Sequence, residues 1–176
     1  MIKIVQDGHK ALRTIAKEVP VTEIQSGKIK KIIVNMKQAL ASQSDGVAIA
    51  APQIGETLRI FVVSGKVFDD DFIRGKNLEV KVHEDLTFIN PIITKISKDN
   101  KLLPEGCLSV RPLYGKVRRS TRASVEAYSE DGKKFTMNGS GLLAHIFQHE
   151  TDHLDGILFI DKAKDIHEST PEEEFK

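Results

Sequence analysis

The sequence has one cysteine, Cys107, among 176 residues. A lone thiol cannot pair within its own chain, so no disulfide framework holds the fold, and a reducing compartment is the simpler expectation. Neither sign of charge is in excess: 26 basic and 25 acidic residues leave a net charge of +1. That balance excludes a globally basic protein built to wrap DNA or RNA. Long apolar runs are also missing. MIKIVQDGHK (1–10) turns polar after Val5 and has no apolar core of signal-peptide length, and no later run approaches a membrane span. The expected setting is the cytoplasm, with an organelle or a virus-infected cell as alternatives. No internal repeat and no linker is visible.

What is present suits one soluble domain, with 40% hydrophobic and 29% charged residues. We read residues 1–165 as a single catalytic domain and 166–176 as a polar, acidic tail. GHKALRTIAKEV (8–19) reads as a short helix, with Leu12, Ile15, Ala16 and Val19 on one stripe and Pro20 ending it. Apolar residues from Ile24 to Leu40 recur at helical spacing, which places a helix over about 22–42 with its lysines in water. SDGVAIAAPQIGE (44–56) reads as a loop where backbone approaches something closely. LRIFVVS (58–64) is a strand. Residues 65–85 are a surface excursion with a short strand at LEVKV (78–82). LTFINPIITKIS (86–97) is a strand that Pro91 puts at an edge or a bend. KLLPEGCLSV (101–110) leads into an irregular RPLYGKVRR (111–119). ASVEAYSEDGKKFTM (123–137) is a hairpin turning at Glu130-Asp131-Gly132. Asn138-Gly139-Ser140 is a turn ahead of a helix, LLAHIFQHETDH (142–153), which stops before Gly156. GILFI (156–160) reads as a last strand, and the segment after it as too polar to pack. This order of elements is α+β: N-terminal helices, mixed and mostly antiparallel sheets, and a late helix.

That late helix carries QHETDHLDG (148–156), the pattern H-E-x-x-H. His149 and His153 are four residues apart, so both rings project from one face and can converge on one ion. Glu150 then reaches a water at that ion. Two histidines are not a site, because a catalytic zinc-type centre takes three protein ligands and one open position. Downstream, no acid or histidine has a convincing spacing, and the metzincin continuation is absent. Upstream, PEGCLS offers Cys107 on an irregular corner, as a ligand, a nucleophile or a buried small hydrophobe. On residues alone the chain is a metal protease, another metal hydrolase, or a protein whose helix carries two histidines by chance.

Three segments together resemble the peptide deformylase family: GVAIAAPQIG (46–55), EGCLS (105–109) and QHETDHLDG (148–156), in the family's order. ALR (11–13), FINP (88–91) and YGKVRR (114–119) extend the likeness along nearly the whole chain. The resemblance implies removal of the formyl group from N-formylmethionine of newly made polypeptides, with formate released by a metal-activated water. It implies one divalent metal held by Cys107, His149 and His153, natively Fe(II), with Zn, Ni or Co able to occupy the site. It makes Glu150 the proton carrier, and the Gln53 amide and the Leu108 backbone N–H the donors to the developing oxyanion. Glu105 and Arg119 become a supporting ion pair, and Gln148 a residue that positions the metal-bearing helix. Val47, Leu142, His145 and Ile146 line the methionine pocket, Tyr114 flanks it, and backbone at Gly46, Ala48 and Gly106 aligns the peptide as an added strand. The implied partners are N-formylmethionyl nascent peptides, with transient ribosome contact, no DNA and no membrane, and the protein acts as a monomer. The acidic terminus is a poor docking arm for RNA; a basic cluster of Lys116, Arg118, Arg119 and Arg122 could help such a contact, but partly solvated surface charge is its expected meaning.

The chain departs from the family pattern at three places. Ala48 stands where Gly is usual, Val110-Arg111-Pro112 replaces Val-Pro, and His145 takes a place usually apolar. His145, His149 and His153 form a stripe at spacing four whose ends lie ~12 Å apart along the axis, too far for one metal to use all three. His145 is therefore expected in the pocket or the packing rather than among the ligands. Two rivals remain: a related amidase or peptidase with an altered pocket, and a non-catalytic metal-binding module associated with the ribosome.

Overall fold

A computed structural model of the chain describes residues 2–69 and 83–174. Helix α1 (Gly27–Ala41) begins at Ser26, whose hydroxyl accepts the Ile29 N–H at 3.3 Å, and it buries Ile29, Ile32, Ile33, Met36 and Leu40 on one stripe. Two antiparallel sheets follow. The larger has the order β1 (Ala48–Ala50), β2 (Ile60–Val63), β3 (Leu86–Ile96), β6 (Arg122–Tyr128), β7 (Lys134–Ser140). The smaller has the order β4 (Asn100–Gly106), β5 (Leu113–Ser120), β8 (Lys164–Glu168). Helix α2 (Leu142–Leu154) carries the two histidines of the H-E-x-x-H pattern.

The larger sheet is sandwiched between the two helices, and the side-chain alternation of β2 shows how. Phe61 and Val63 join Phe88, Val125, Ala144, Phe147 and Leu154 on the α2 side. Ile60 and Val62 join Ile29, Ile33, Met36 and Leu40 on the α1 side. Successive strand residues point to opposite faces, so a strand covered on both faces must be apolar throughout, as Ile60–Val63 is. Phe61 and Phe88 stack with ring centroids 4.6 Å apart, and Phe147 meets Phe88 edge-on at 5.4 Å. The core thus grips the Phe147 side of α2 and turns the histidine side toward β4. Among the described residues no helix is long and apolar enough to cross a membrane.

Several segments differ from the reading of the sequence. Residues 8–19 hold only one 3-10 turn, Lys10–Arg13, and Ile15 is 71% exposed. Backbone partners far along the chain prevent the helix: Ala16 N–H donates to Leu154 O, Lys17 N–H to Thr57 O, and Arg59 N–H to Lys17 O. The 44–56 segment is not loop throughout, since it contains β1 and a 3-10 turn over Ala51–Ile54. RPLYGKVRR is mostly strand β5, pairing along the whole of β4. Strand β3 is interior, and it tolerates Pro91 by a slip of register there. Asn90 takes φ 51, and its side chain exchanges hydrogen bonds with the backbone of Val19. Residues 138–140 extend β7, and Gly141 caps α2. Within GILFI the only regular structure is the start of a 3-10 turn, Phe159–Asp161. The polar segment after it supplies β8, which crosses residue 165, and a short α3 (Pro171–Glu174). β8 is exposed along its length and needs no apolar side, because its backbone ladder to β5 suffices. The hairpin at 130–132 and the Gly156 stop at φ 74 are as read. LEVKV lies outside the described residues.

Candidate metal centre and active site

Three elements converge at one point. Cys107 follows the end of β4, Gln53 sits on the 3-10 turn after β1, and His149, Glu150 and His153 come from α2. The ligand atoms of Cys107, His149 and His153 all lie within 4.8 Å of one another. Cys107 Sγ is 3.2 Å from His153 Nε2, and the two imidazole rings meet edge-on at 4.8 Å. One thiol and two imidazoles are a donor set for a borderline-soft divalent ion. Two buried polar atoms of these helix residues, Glu150 Oε2 and His153 Nδ1, have no partner among the described residues. The residues therefore fit the metal that the sequence resemblance implies.

Electrostatics separates the two histidines. Burial works against charge on both, and at His153 it prevails, lowering that ring well below its ordinary range. At His149 burial is overcome by the adjacent Glu105 carboxylate and by Cys107, which raise the ring well above it. Loading a cation onto the cluster must then expel a proton from His149. His149 Nδ1 lies 2.5 Å from Glu105 Oε1, so in the neutral ring the proton sits on Nδ1 and the Nε2 lone pair is free. Glu105 is 3% exposed. Burial would raise it, but His149 and hydrogen bonds from His145, His149 and Arg119 hold it well below the usual carboxylate range. Arg119 donates to it from Nε at 3.0 Å and from Nη2 at 2.7 Å, and from Nη1 to Asp152 at 2.6 Å. Glu150 has no such support, and burial pushes it up to about 7 despite the pull of His149.

Gln53 is aimed by its own amide. Oε1 accepts the Ala50 N–H at 2.8 Å, which leaves Nε2 directed at Ser109 Oγ (3.2 Å) and Cys107 Sγ (3.5 Å). Leu108 lies between those two contacts in sequence, with its side chain against Gly46. Gln148 faces away from the cluster. It receives Ser120 N–H and donates to Ser120 O, fastening α2 to the end of β5. Ile146 is buried against the apolar core, with Val47 and Leu142 packed beside it. His145 is turned to Glu105. Tyr114 is 4% exposed, and its ring fills the space that a side chain on Gly106 would need: a Cβ there would lie 2.4 Å from the ring. Gly106→Ala should therefore destabilise the fold by ~1–3 kcal/mol through overpacking. A urea titration checks this, and an unchanged midpoint would show that the ring yields freely.

Two features were not legible in the sequence. Ser109 and Asp152 lie inside the motifs, yet nothing in their spacing marks them as partners of Gln53 and Arg119. Arg111, one of the departures, donates to both carboxylate oxygens of Asp45 at 2.7 Å and ties the loop after Cys107 to the loop before Gly46. The expected basic cluster is divided, because Arg119 is buried while Lys116 and Arg122 pair with Asp165 and Asp99.

An α+β scaffold that brings a Cys/His/His set together with a buried carboxylate and an aimed amide belongs to the metal-dependent hydrolases. The comparisons place it more narrowly. Residues 1–169 match the polypeptide deformylase family, and the chain belongs to that family. It is 37% identical to the peptide deformylase of Treponema pallidum over 155 residues, covering 88% of this chain and 83% of that one. It is 40% identical to that of Fusobacterium nucleatum over 160 residues, covering 91% and 82%. A class I type b peptide deformylase from Acinetobacter baumannii superimposes with a TM-score of 0.79 at 28% identity, over 92% of this chain and 98% of that one. A peptide deformylase from Synechococcus elongatus in complex with actinonin gives 0.76 at 31% identity, over 93% and 79%.

Proposed function

We propose a route by which this chain hydrolyses the N-formyl group of formylmethionyl peptides, with named residues in each role. The observation that carries it is Glu150: a buried carboxylate next to His149 in the chain and electrostatically coupled to it, with one oxygen that has no partner among the described residues, while the Gln53 amide reaches the same cluster at Cys107 Sγ. A divalent metal bound by those three residues would act as a Lewis acid, bringing the pKa of a water near neutrality. Glu150 Oε2 takes the proton of the water that attacks the formyl carbon. Gln53 Nε2 and the Leu108 N–H donate to the carbonyl oxygen as it becomes negative. Glu150 then delivers its proton to the leaving amine nitrogen, the C–N bond breaks, and formate departs. Fe(II) is the native metal on this reading, with Zn, Ni or Co as substitutes, since a thiolate and two imidazoles accept all four.

The peptide lies as an added strand. Val47 O accepts the Ser64 N–H on the β2 side, so alternation turns Ala48 outward along β1, an edge strand, while Gly46 just before it keeps its N–H on Gln43 O and offers the peptide its carbonyl. Val47, Leu142 and Ile146 form the apolar wall for the methionine side chain. A relative from Acinetobacter baumannii has been solved with Met-Ala-Ser bound, which supports a peptide of this kind here. Nascent chains as substrates bring the enzyme to the ribosome transiently, as a cytoplasmic monomer.

The deciding experiment is formate release from formyl-Met-Ala-Ser by protein loaded with Fe(II) without oxygen, compared with the acetylated peptide. Release from the formyl peptide alone supports the reading; hydrolysis of the acetyl peptide at a similar rate sinks it. Gln53→Leu should lower kcat by ~10²–10³ while KM moves little, because the lost donor acts on the oxyanion. A rise in KM alone would make Gln53 a ground-state binder.

A further inference from the structure

The histidine face of α2 carries a third imidazole, one turn before His149, that the proposed chemistry does not use. His145 Nε2 lies 2.5 Å from Glu105 Oε2, and the His145 side chain is 14% exposed. Each oxygen of Glu105 consequently accepts two donors. Oε1 takes Arg119 Nη2 and His149 Nδ1, and Oε2 takes Arg119 Nε and His145 Nε2. This carboxylate is buried two residues before Cys107, and it holds the Nδ1 proton of His149. Its cation is shared, because Arg119 also serves Asp152. Once His149 gives its Nε2 lone pair to a metal, its contribution to Glu105 is a neutral N–H rather than a charge. The fourth donor, from His145, then completes the shell of an acceptor whose side chain is only 3% exposed, and an incomplete shell there leaves the His149 ring less firmly held.

We propose that His145 is a positioning residue of the metal centre, acting on His149 through Glu105, rather than a wall of the methionine pocket. The inference rests on the metal-hydrolase reading above. It assigns a purpose to a histidine without which Oε2 would be left with Arg119 Nε alone.

The test uses His145→Leu and His145→Gln in the full chain. The Gln amide nitrogen can stand where Nε2 stands, so it restores the donor, whereas Leu keeps only bulk. Both variants and the wild type are loaded with Co(II) and challenged with excess chelator, and the loss of the cobalt absorption bands is timed. The kcat and KM for formyl-Met-Ala-Ser are measured alongside. His145→Leu should release cobalt ~10–100-fold faster. His145→Gln should stay close to the wild type, and KM should be unchanged in both. The proposal is overturned if His145→Leu keeps its cobalt as the wild type does, or if Leu and Gln lose it equally. A KM that rises while cobalt release is unaltered assigns His145 to the pocket instead. If the Leu variant does not fold, His145→Asn, whose shorter amide falls short of Oε2, replaces it in the same comparison. A wild type that takes up no cobalt and releases no formate would instead bring down the metal-hydrolase reading itself.

Discussion

Glu150→Gln lowers kcat for formate release by ~10²–10⁴, the usual contribution of a positioned proton carrier, while one metal per chain stays bound. The substitution keeps the shape of the side chain and removes only its basicity. Nothing else described here can take over. Glu150 is 3% exposed, and Glu105, the nearest other carboxylate in the network, is committed on both oxygens to Arg119 and the two histidines. Retained metal is part of the expectation, because Cys107, His149 and His153 converge without Glu150. Turnover by the variant within a few-fold of the wild type would remove Glu150 from the mechanism. Loss of metal along with turnover would make it a ligand rather than a proton carrier. Metal analysis on the same sample that is assayed separates the two.

Arg119→Met is expected to have the largest effect on stability. Arg119 and Glu105 are 4% and 3% exposed, and Arg119 also holds Asp152 at 15%. Removing the guanidinium leaves a buried carboxylate facing only imidazole donors, and breaking a buried pair from one side costs ~3–5 kcal/mol. Lys162 still reaches Asp152, but from a side chain 41% exposed, where such a pair is worth little. Urea denaturation of the metal-free protein should show the loss. Lys162→Ala, as a control, should move the midpoint far less. An Arg119→Met protein as stable as its parent would mean that Glu105 takes up a proton and tolerates neutrality, and the orienting network would then be dispensable for folding.

How much of this was legible depends on the range of the interactions. The α2 helix, the strand at Ile60–Val63 and the hairpin at 130–132 follow from local period and turn chemistry, and the sequence reading places them correctly. The convergence of Cys107 with His149 and His153 was readable only through the ordered motifs, since no local rule brings residues so far apart to one point. Local rules failed where long-range backbone bonds win. Ala16 and Lys17 spend their N–H groups on Leu154 and Thr57 rather than on a helix, and Lys164–Glu168 become a strand because β5 offers an edge. The Glu105–Arg119 pair was readable only through the family resemblance, and its bonds to His145, His149 and Asp152 were not readable at all. A Glu and an Arg in a charged sequence look like surface, and the burial that gives them meaning is a property of three elements packed together.

The shortness of β1 has a consequence for the protein's behaviour at high concentration. An exposed sheet edge invites other chains to continue the ladder, and long flat edges seed polymerisation. β1 spans three residues, and the outward N–H of Ala50 is already occupied by the Gln53 side chain. Such an edge provides too few rungs to hold a wandering strand by backbone bonds alone. A peptide tethered by its terminal group at the cluster needs only those few. On the proposed strand addition, the edge is long enough to read a substrate while offering a second copy few rungs.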